Sequence, residues 1–338
     1  MRWLAALAVL LALAGCGDHR AESAWVTDEV SFAAGGLTLF GSYLHQSGAD
    51  PEPAALLISE SGATDRNGDN NVAGPIGNMR QLAEYLSGHG VASLRYDKVG
   101  TGATGLGPFA DQPGDVGSAV YTDGARAAAG FLAAQPATED DRISVYAVGE
   151  GTVHAMALAG GSGPPRIHSL ALLQPLSGRY LDLVSGRVDE DLAAAVRAGT
   201  KTPAQAEAVA AAWRAAVAQA RTAGTVPADL PDGLGTILNP GNVGAVVEAD
   251  AINPLDLAAR IPPGTPVLLT CSDSDGQADC ADVRVLAGAL DHTALQFVEL
   301  TGVNHVLRDD PTDDITRYAS GGPLSGQLIA ALDQFVGK

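Results

Sequence analysis

Short apolar runs alternate with helical and polar stretches through most of this 338-residue chain. Two strands are predicted at 26–33 and 37–45, joined by Gly35-Gly36 as a hairpin. Further buried strands are predicted at 54–59, 91–96, 142–149, 167–173, 267–270 and 295–300, and helices at 76–86, 121–134, 153–159 and 324–336. This alternation predicts an α/β fold with a mostly parallel, doubly wound sheet and an antiparallel N-terminal hairpin at one edge.

The alternation breaks off after residue 174, where the pattern becomes mostly helical. Thr202, Pro203 and Gln205 form a helix start, with an N-cap, a proline at the first helical position and a capping box. An apolar stripe at helical spacing follows over residues 206–220, and we interpret it as core packing. The sequence therefore predicts a helical cap over about residues 175–257, lying across the carboxyl edge of the sheet.

The first residues have the pattern of an export signal. Arg2 precedes an unbroken apolar run over residues 3–14, which is too short to span a bilayer comfortably. Leu13-Ala14-Gly15-Cys16 resembles a bacterial lipobox, which implies a lipoprotein signal peptide over 1–15 and a lipid on Cys16. We expect 16–25 to be a tether and the protein to be exported to the cell envelope and anchored to the membrane. An ordinary secretory signal cut nearby is the alternative.

Composition narrows the range of partners. The remaining residues, 26–338, suffice for one α/β domain. The net charge of −19 argues against nucleic acid or anionic lipid as the main partner, because both need clustered Lys and Arg. The seven histidines lack the spacing of metal ligands, so we expect neither a metal nor a cofactor. Two cysteines remain after Cys16, and in an exported protein Cys271 and Cys280 suggest a disulfide, with two unpaired thiols as the alternative.

Residues 142–152, R-I-S-V-Y-A-V-G-E-G-T, have the layout of a nucleophile elbow, in which a strand runs through G-x-S-x-G into a helix. The segment resembles R-I-G-L-L-G-H-S-E-G-G of the serine esterases in the α/β-hydrolase superfamily. In this alignment Gly149 takes the place of the nucleophilic serine, and Ala147 replaces the first glycine. The segment therefore points to a hydrolase fold and also lacks the atom that usually attacks the substrate.

The resemblance extends over most of residues 30–338. S-G-A-T-D-R-N-G at 61–68 resembles G-S-G-P-T-D-R-D-G-N, and V-A-S-L-R-Y-D-K-V-G at 91–100 resembles I-A-T-L-R-Y-D-K-R-G. G-V-N-H-V-L at 302–307 resembles the G-x-N-H-V-L that carries the catalytic histidine. The order nucleophile, acid, base along the chain is typical of the α/β-hydrolase fold. The resemblance implies this fold and a small acyl-ester-like ligand, and it explains the glycines at 100–105 better than a phosphate loop does.

The resemblance also assigns site residues. His305 is the candidate base, and Asp275 is the candidate acid that orients it, with Asp273 as a substitute. A calcium site at 273–276 is disfavoured, because the spacing and the twelfth-position Glu of an EF-hand are missing. The backbone N–H of Glu150, together with Ser61 and Gly62, marks the expected oxyanion region.

Three departures put catalysis in question. Gly149 has no side chain to form an acyl-enzyme, and Thr152, three residues on, is a poor substitute because it should point from the first helical turn. Glu60 stands where the resembling esterases have glycine; it either opposes negative charge in the oxyanion pocket or turns outward into water. Val99 replaces an arginine near the site.

Three hypotheses about function follow. The protein is a degenerate hydrolase that binds or scaffolds, or a weak hydrolase in which His305 activates water or another group attacks, or an enzyme of different chemistry on the same fold.

Overall fold

The computed structural model describes residues 24–48 and 50–338. The predicted signal peptide, Cys16 and nearly all of the tether lie outside these residues. Within this part of the chain, no helix is both long enough and apolar enough to cross a membrane.

Eight strands of the described chain form one sheet in the order β1-β2-β4-β3-β5-β6-β7-β8. They are β1 (Trp25–Ala34), β2 (Leu37–Gln46), β3 (Glu52–Ile58), β4 (Ala92–Tyr96), β5 (Thr138–Gly149), β6 (Ile167–Pro175), β7 (Pro266–Ser272) and β8 (Ala294–Leu300). β2 runs antiparallel to both β1 and β4, and every other pair is parallel. The sheet is therefore mostly parallel with an antiparallel hairpin at one edge, as the sequence predicts.

Helices cover both faces of the sheet. The α-helices of the described residues are α1 (Asn78–Ser87), α2 (Ser118–Ala133), α3 (Gly151–Ala159), α4 (Tyr180–Arg197), α5 (Pro203–Ala223), α6 (Val243–Ala251), α7 (Pro254–Ala258), α8 (Cys280–Ala289) and α9 (Gly326–Phe335). Successive residues of β3 point to opposite faces. Leu56 and Ile58 join the core beneath α2, α3 and α8, whereas Ala55 and Leu57 join the core beneath α1 and α9.

Helices α4 to α7 form the predicted cap between β6 and β7. The cap has a hydrophobic cluster of its own around Trp213, which is 1% exposed and donates a hydrogen bond to Ser185. Thr202 and Gln205 form the predicted capping box at the start of α5. Buried Asp250 of α6 accepts hydrogen bonds from Arg221 of α5 and from the backbone N–H at the start of α4, and thereby ties three cap helices together.

Several element boundaries differ from the predicted ones, and the two largest shifts occur where contacts distant in sequence act. Helix α2 begins at Ser118 rather than 121, and the carboxylate of Glu248 in the cap accepts the backbone N–H of Ala119 at its first turn. Strand β5 begins at Thr138 rather than 142, where Thr138 pairs with Glu52 of β3. Strand β1 begins at Trp25, the last residue of the predicted tether.

Candidate active site

The predicted elbow lies where β5 ends and α3 begins. Gly149 ends β5 with a φ of +54°, which residues with a side chain adopt only in strained turns such as a nucleophile elbow. A Cβ on Gly151 would lie 2.7 Å from the carbonyl oxygen of Ile58 and 2.9 Å from that of Ser59. Only glycine therefore lets α3 begin so close to β3. This turn places residues 149 and 150 at the carboxyl end of a central strand.

Asp275 and His305 meet beside this turn, although they come from different loops. The Asp275 carboxylate accepts hydrogen bonds from the backbone N–H groups of Gln277 (2.7 Å) and Ala278 (3.1 Å). Its Oδ2 lies 2.9 Å and its Oδ1 3.1 Å from Nδ1 of His305. Both side chains are buried. Asp275 thus fixes the orientation of the imidazole ring and leaves its Nε2 facing the elbow.

Asp273, the alternative acid, makes a different contact. Its Oδ1 accepts the backbone N–H of Gly302 at 2.8 Å, so it joins the loops that carry Asp275 and His305. Cys271 of β7 and Cys280 of α8 are bonded through their sulfur atoms, with 5.2 Å between their Cα atoms. This disulfide closes the loop that contains both aspartates.

Glu60 turns inward and completes a series of three charged groups. Its Oε2 lies 2.9 Å from Nε2 of His305. Its Oε1 accepts two backbone hydrogen bonds, from Ser61 at 2.6 Å and from Glu150 at 3.2 Å. Convergence of two backbone N–H groups on one oxygen is the arrangement of an oxyanion hole. The protein's own carboxylate therefore occupies the predicted oxyanion region.

The same carboxyl group fills the volume of the missing nucleophile. The three nearest heavy atoms to a Cβ built on Gly149 all belong to the Glu60 carboxyl group, and its Oε2 overlaps that Cβ. A serine at position 149 and Glu60 in its present position therefore exclude each other. A substrate carbonyl oxygen also cannot accept hydrogen bonds from Ser61 and Glu150 while Glu60 does so.

Charge stabilises this arrangement. Burial alone would raise the pKa of the Glu60 carboxyl, but hydrogen bonds and charge from His305, together with the two backbone donors, lower it to about 2. Burial alone would lower the pKa of His305, yet the charges and hydrogen bonds of Asp275 and Glu60 hold it well above the ordinary value. The raised pKa favours the imidazolium form of His305 between the side chains of Asp275 and Glu60, and a protonated imidazole cannot act as a general base.

Lys98 donates hydrogen bonds to the backbone around Glu60. Its ammonium group donates hydrogen bonds to the carbonyl oxygens of Glu60 and Ser59, and lies 5.6 Å from the ring centre of Tyr121. Burial lowers the pKa of Lys98, and the charges of Glu150 and Glu60 oppose that effect. The resemblance includes this lysine in its Y-D-K segment, but the motif does not reveal that it positions Glu60.

The other sequence candidates do not act on the His305 ring. Thr152 is fully buried, and its hydroxyl donates to the carbonyl oxygen of Gly149 at 2.6 Å, so it caps the elbow instead of replacing the nucleophile. Gly62 has a φ of +63° and lines a neighbouring cavity, whereas Ser61 and Glu150 supply the two converging N–H groups. Val99 is buried in the core under the sheet.

Two cavities meet at the Glu60–His305 pair. The larger one, about 290 Å³, has mostly apolar walls that include Val148, Val306 and Ile315. The smaller one, about 90 Å³, lies beside cap helix α4 and has walls that are about equally polar and apolar; its lining includes Gln174 at the end of β6. Sequence reasoning missed Gln174, although its place at the carboxyl end of a parallel strand is where α/β proteins bind ligands.

Within residues 24–48 and 50–338, no group of three or more His, Cys, Asp or Glu side chains is arranged to hold a metal ion. Gly102, in the segment with the spacing of a phosphate loop, packs against the Asp97 carboxylate, which would repel a phosphate.

Comparison with solved structures supports the fold. An esterase of Pyrococcus furiosus, Pf2001, superimposes with a TM-score of 0.57 at 15% identity, over 93% of this chain and 92% of that one. The esterase Est1E of Butyrivibrio proteoclasticus, solved with ferulic acid, gives 0.54 at 16% identity over 86% and 97% of the two chains. The α/β hydrolase GrgF of a Penicillium species gives 0.53 at 17% identity over 83% and 91%.

These structures and the order of the strands confirm that the chain has the α/β-hydrolase fold. No protein-family model matches the sequence, and no curated protein does. Identity near 15% shows the fold alone, so the function has to be argued from the site.

Proposed function

We propose that this protein binds a small acyl compound in an α/β-hydrolase site without cleaving it through an acyl-enzyme. One observation carries the proposal: the Glu60 carboxylate fills both the nucleophile position at Gly149 and the two-donor oxyanion position at Ser61 and Glu150. Acyl transfer needs a nucleophile, a free base and an empty oxyanion hole. Gly149 lacks the nucleophile, and the Glu60–His305 pair occupies both the base and the oxyanion hole.

The binding space supports a ligand with an apolar part. The larger cavity has room for a short hydrocarbon or aromatic group between the loop at 61–78 and the loop at 303–318. Val72 and Ile315 line it and are 84% and 48% exposed, so they are open to a ligand that enters from solvent. The cavity ends at Glu60 and His305, where the carbonyl group of an ester would react in a working esterase.

We further propose that the protein works at the cell envelope, anchored by a lipid on Cys16. The apolar run at 3–14 and the lipobox-like Leu13-Ala14-Gly15-Cys16 support this location. The lipid would hold the binding site near a membrane surface, and two or more acyl chains give a stable anchor where one gives a marginal one.

The test is to rebuild the esterase site in steps. Gly149→Ser alone should give no hydrolysis of p-nitrophenyl butyrate, because the new side chain collides with Glu60 and the oxyanion donors stay blocked or disordered. Glu60→Gly alone frees the donors but supplies no nucleophile. The double variant Glu60→Gly/Gly149→Ser should exceed either single variant by about 10²-fold or more, which is the effect of a usable oxyanion hole.

Two controls sharpen this test. Glu60→Gly/Gly149→Ala has the same new Cβ without a hydroxyl and should not hydrolyse the ester. Adding His305→Ala to the serine double variant should abolish its activity. Ester turnover by the native protein that disappears with His305→Ala would overturn the proposal and favour a hydrolase with an unconventional nucleophile.

A further inference from the structure

The side chain of Gln174 is an unexplained polar group at the edge of the site. It is fully buried, and neither its Oε1 nor its Nε2 has a hydrogen-bond partner among the described residues. Its backbone φ is +46°, an uncommon value for a residue with a side chain. A buried amide without partners costs free energy, and strained residues of this kind cluster at ligand sites.

Gln174 lines the smaller cavity together with two carboxylates. The carboxylate of Glu60 already accepts hydrogen bonds from His305 and from the backbone N–H groups of Ser61 and Glu150. The Glu150 side chain accepts no hydrogen bond within the described residues. Burial raises the pKa of its carboxyl group, the charge of Lys98 opposes that effect, and the charge of Glu60 adds to it. Tyr180 and Arg187 of cap helix α4 close the cavity from above. The cavity is therefore lined by one amide and one carboxyl group that have no hydrogen-bond partner among the described residues.

The pattern of donors and acceptors selects a chemical class. An amide presents a donor and an acceptor side by side, and a carboxylate presents acceptors only. A primary carboxamide matches both groups: its oxygen accepts from Nε2 of Gln174, and its two N–H bonds reach Oε1 of Gln174 and the carboxylate of Glu150. We propose that this cavity binds the primary carboxamide head of a small ligand. The inference rests on the proposed function, because it places the acyl carbonyl of the bound compound here.

Other small head groups match less well. A carboxylate has no donor, so it would leave Oε1 of Gln174 without a partner. An ammonium group could donate to Oε1 of Gln174 and to Glu150, but it has no acceptor for Nε2. The volume of about 90 Å³ equals the share of about three water molecules in the liquid, which suits a head group of three or four heavy atoms.

The experiment compares three ligands of nearly equal size, propionamide, propionate and propylammonium, by saturation-transfer NMR titration of the purified protein. We expect propionamide to bind at least about ten-fold more tightly than the other two, which corresponds to one well-made hydrogen bond. Gln174→Met should remove that preference. Methionine has nearly the same length as glutamine. Both residues have a side chain, so the positive φ at position 174 should cost them about the same free energy.

Gln219→Met is the matched control, because Gln219 is exposed on α5 and its amide donates to Thr225 far from the cavity. Glu150→Gln is a second variant, which should weaken propionamide binding even if Gln174→Met folds poorly. Equal binding of the three ligands by the native protein, no binding of propionamide, or unchanged preference in both site variants would overturn the carboxamide site.

Ester turnover is measured on the same samples, so that the two proposals fail separately. His305-dependent turnover with a retained Gln174-dependent preference for propionamide would refute the proposed function and leave the carboxamide site standing. A protein without turnover and without that preference would refute the carboxamide site alone.

Discussion

Replacing His305 by glutamine should change how the stability of the protein depends on pH. Burial opposes the imidazolium, but Asp275 and Glu60 outweigh it and raise the pKa of His305 well above its ordinary value. A group whose pKa is raised by folding contributes stability that is fully present below its unfolded pKa of about 6.5 and is lost as the pH rises through its folded pKa. The native protein should therefore lose stability above about pH 6.5, relative to the variant.

The size of the effect follows from one proton. Above about pH 6.5, folding takes up nearly one proton at His305, and one proton changes the free energy of unfolding by about 1.4 kcal/mol per pH unit. The difference accumulates at this rate only between the unfolded and the folded pKa of His305. Glu60 acts in the opposite range: its pKa is lowered to about 2, so its contribution is present above about pH 4.5 and lost as the pH falls further. The pair stabilises most between about pH 4.5 and 6.5.

Urea unfolding followed by circular dichroism, at steps from about pH 5.5 to 8.5, measures this difference. Glu60→Gln should fall between the native protein and His305→Gln, because Asp275 still contacts the ring. Glu207→Gln, which removes an exposed carboxylate paired with Arg214, should follow the native curve. The unfolding free energies of the native protein and of His305→Gln could instead change in parallel over the whole pH range. The pKa of the folded imidazole would then not be raised, and the argument that it cannot act as a base would fail.

Three further predictions concern the support of the site and its location. Replacing Cys271 and Cys280 by serine should cost about 2.6 kcal/mol of unfolding free energy, the value for a loop closed over a separation of 9 residues, as measured by urea unfolding with and without reductant. Asp250→Asn should destabilise the cap by about 3 kcal/mol, because Arg221 loses a buried charged partner, and proteolysis should then cut the cap first. Cys16→Ser should move the protein from the membrane fraction to the soluble fraction; unchanged fractionation would argue against the lipid.

Much of the fold was predictable because its determinants are local. Apolar runs define the strands, and Thr202 with Gln205 marks the start of the longest cap helix within a few residues. The larger errors in the predicted boundaries occur where partners are distant in sequence. Helix α2 begins early where Glu248 of the cap accepts its first-turn N–H, and no local pattern contains that contact. The periodicity of apolar residues shows which helix positions are buried. The residue at which a helix begins depends instead on the groups that accept hydrogen bonds from its first N–H groups.

The sequence predicted which residues form the site but not how Glu60 and His305 contact each other. The motifs indicated His305 and Asp275, and the structure brings them within hydrogen-bond distance. The direction of Glu60 stayed open, because a one-residue difference from the resembling esterases does not show where a side chain points. Gln174 gave no signal in sequence, since a glutamine at the end of an apolar strand looks like an ordinary strand end. Its role emerges only from burial without partners.

The glycine at position 149 and the glutamate at position 60 are physically linked. A nucleophile at 149 and the Glu60 carboxylate claim the same volume, so the inward position of Glu60 is available only because residue 149 has no side chain. Once Glu60 is inside, His305 gains a second anionic partner and the backbone donors of Ser61 and Glu150 are satisfied. Restoring a serine alone would break this ion pair and leave a buried imidazolium beside one carboxylate. We therefore expect the serine variant to hydrolyse an ester only when Glu60 is also removed.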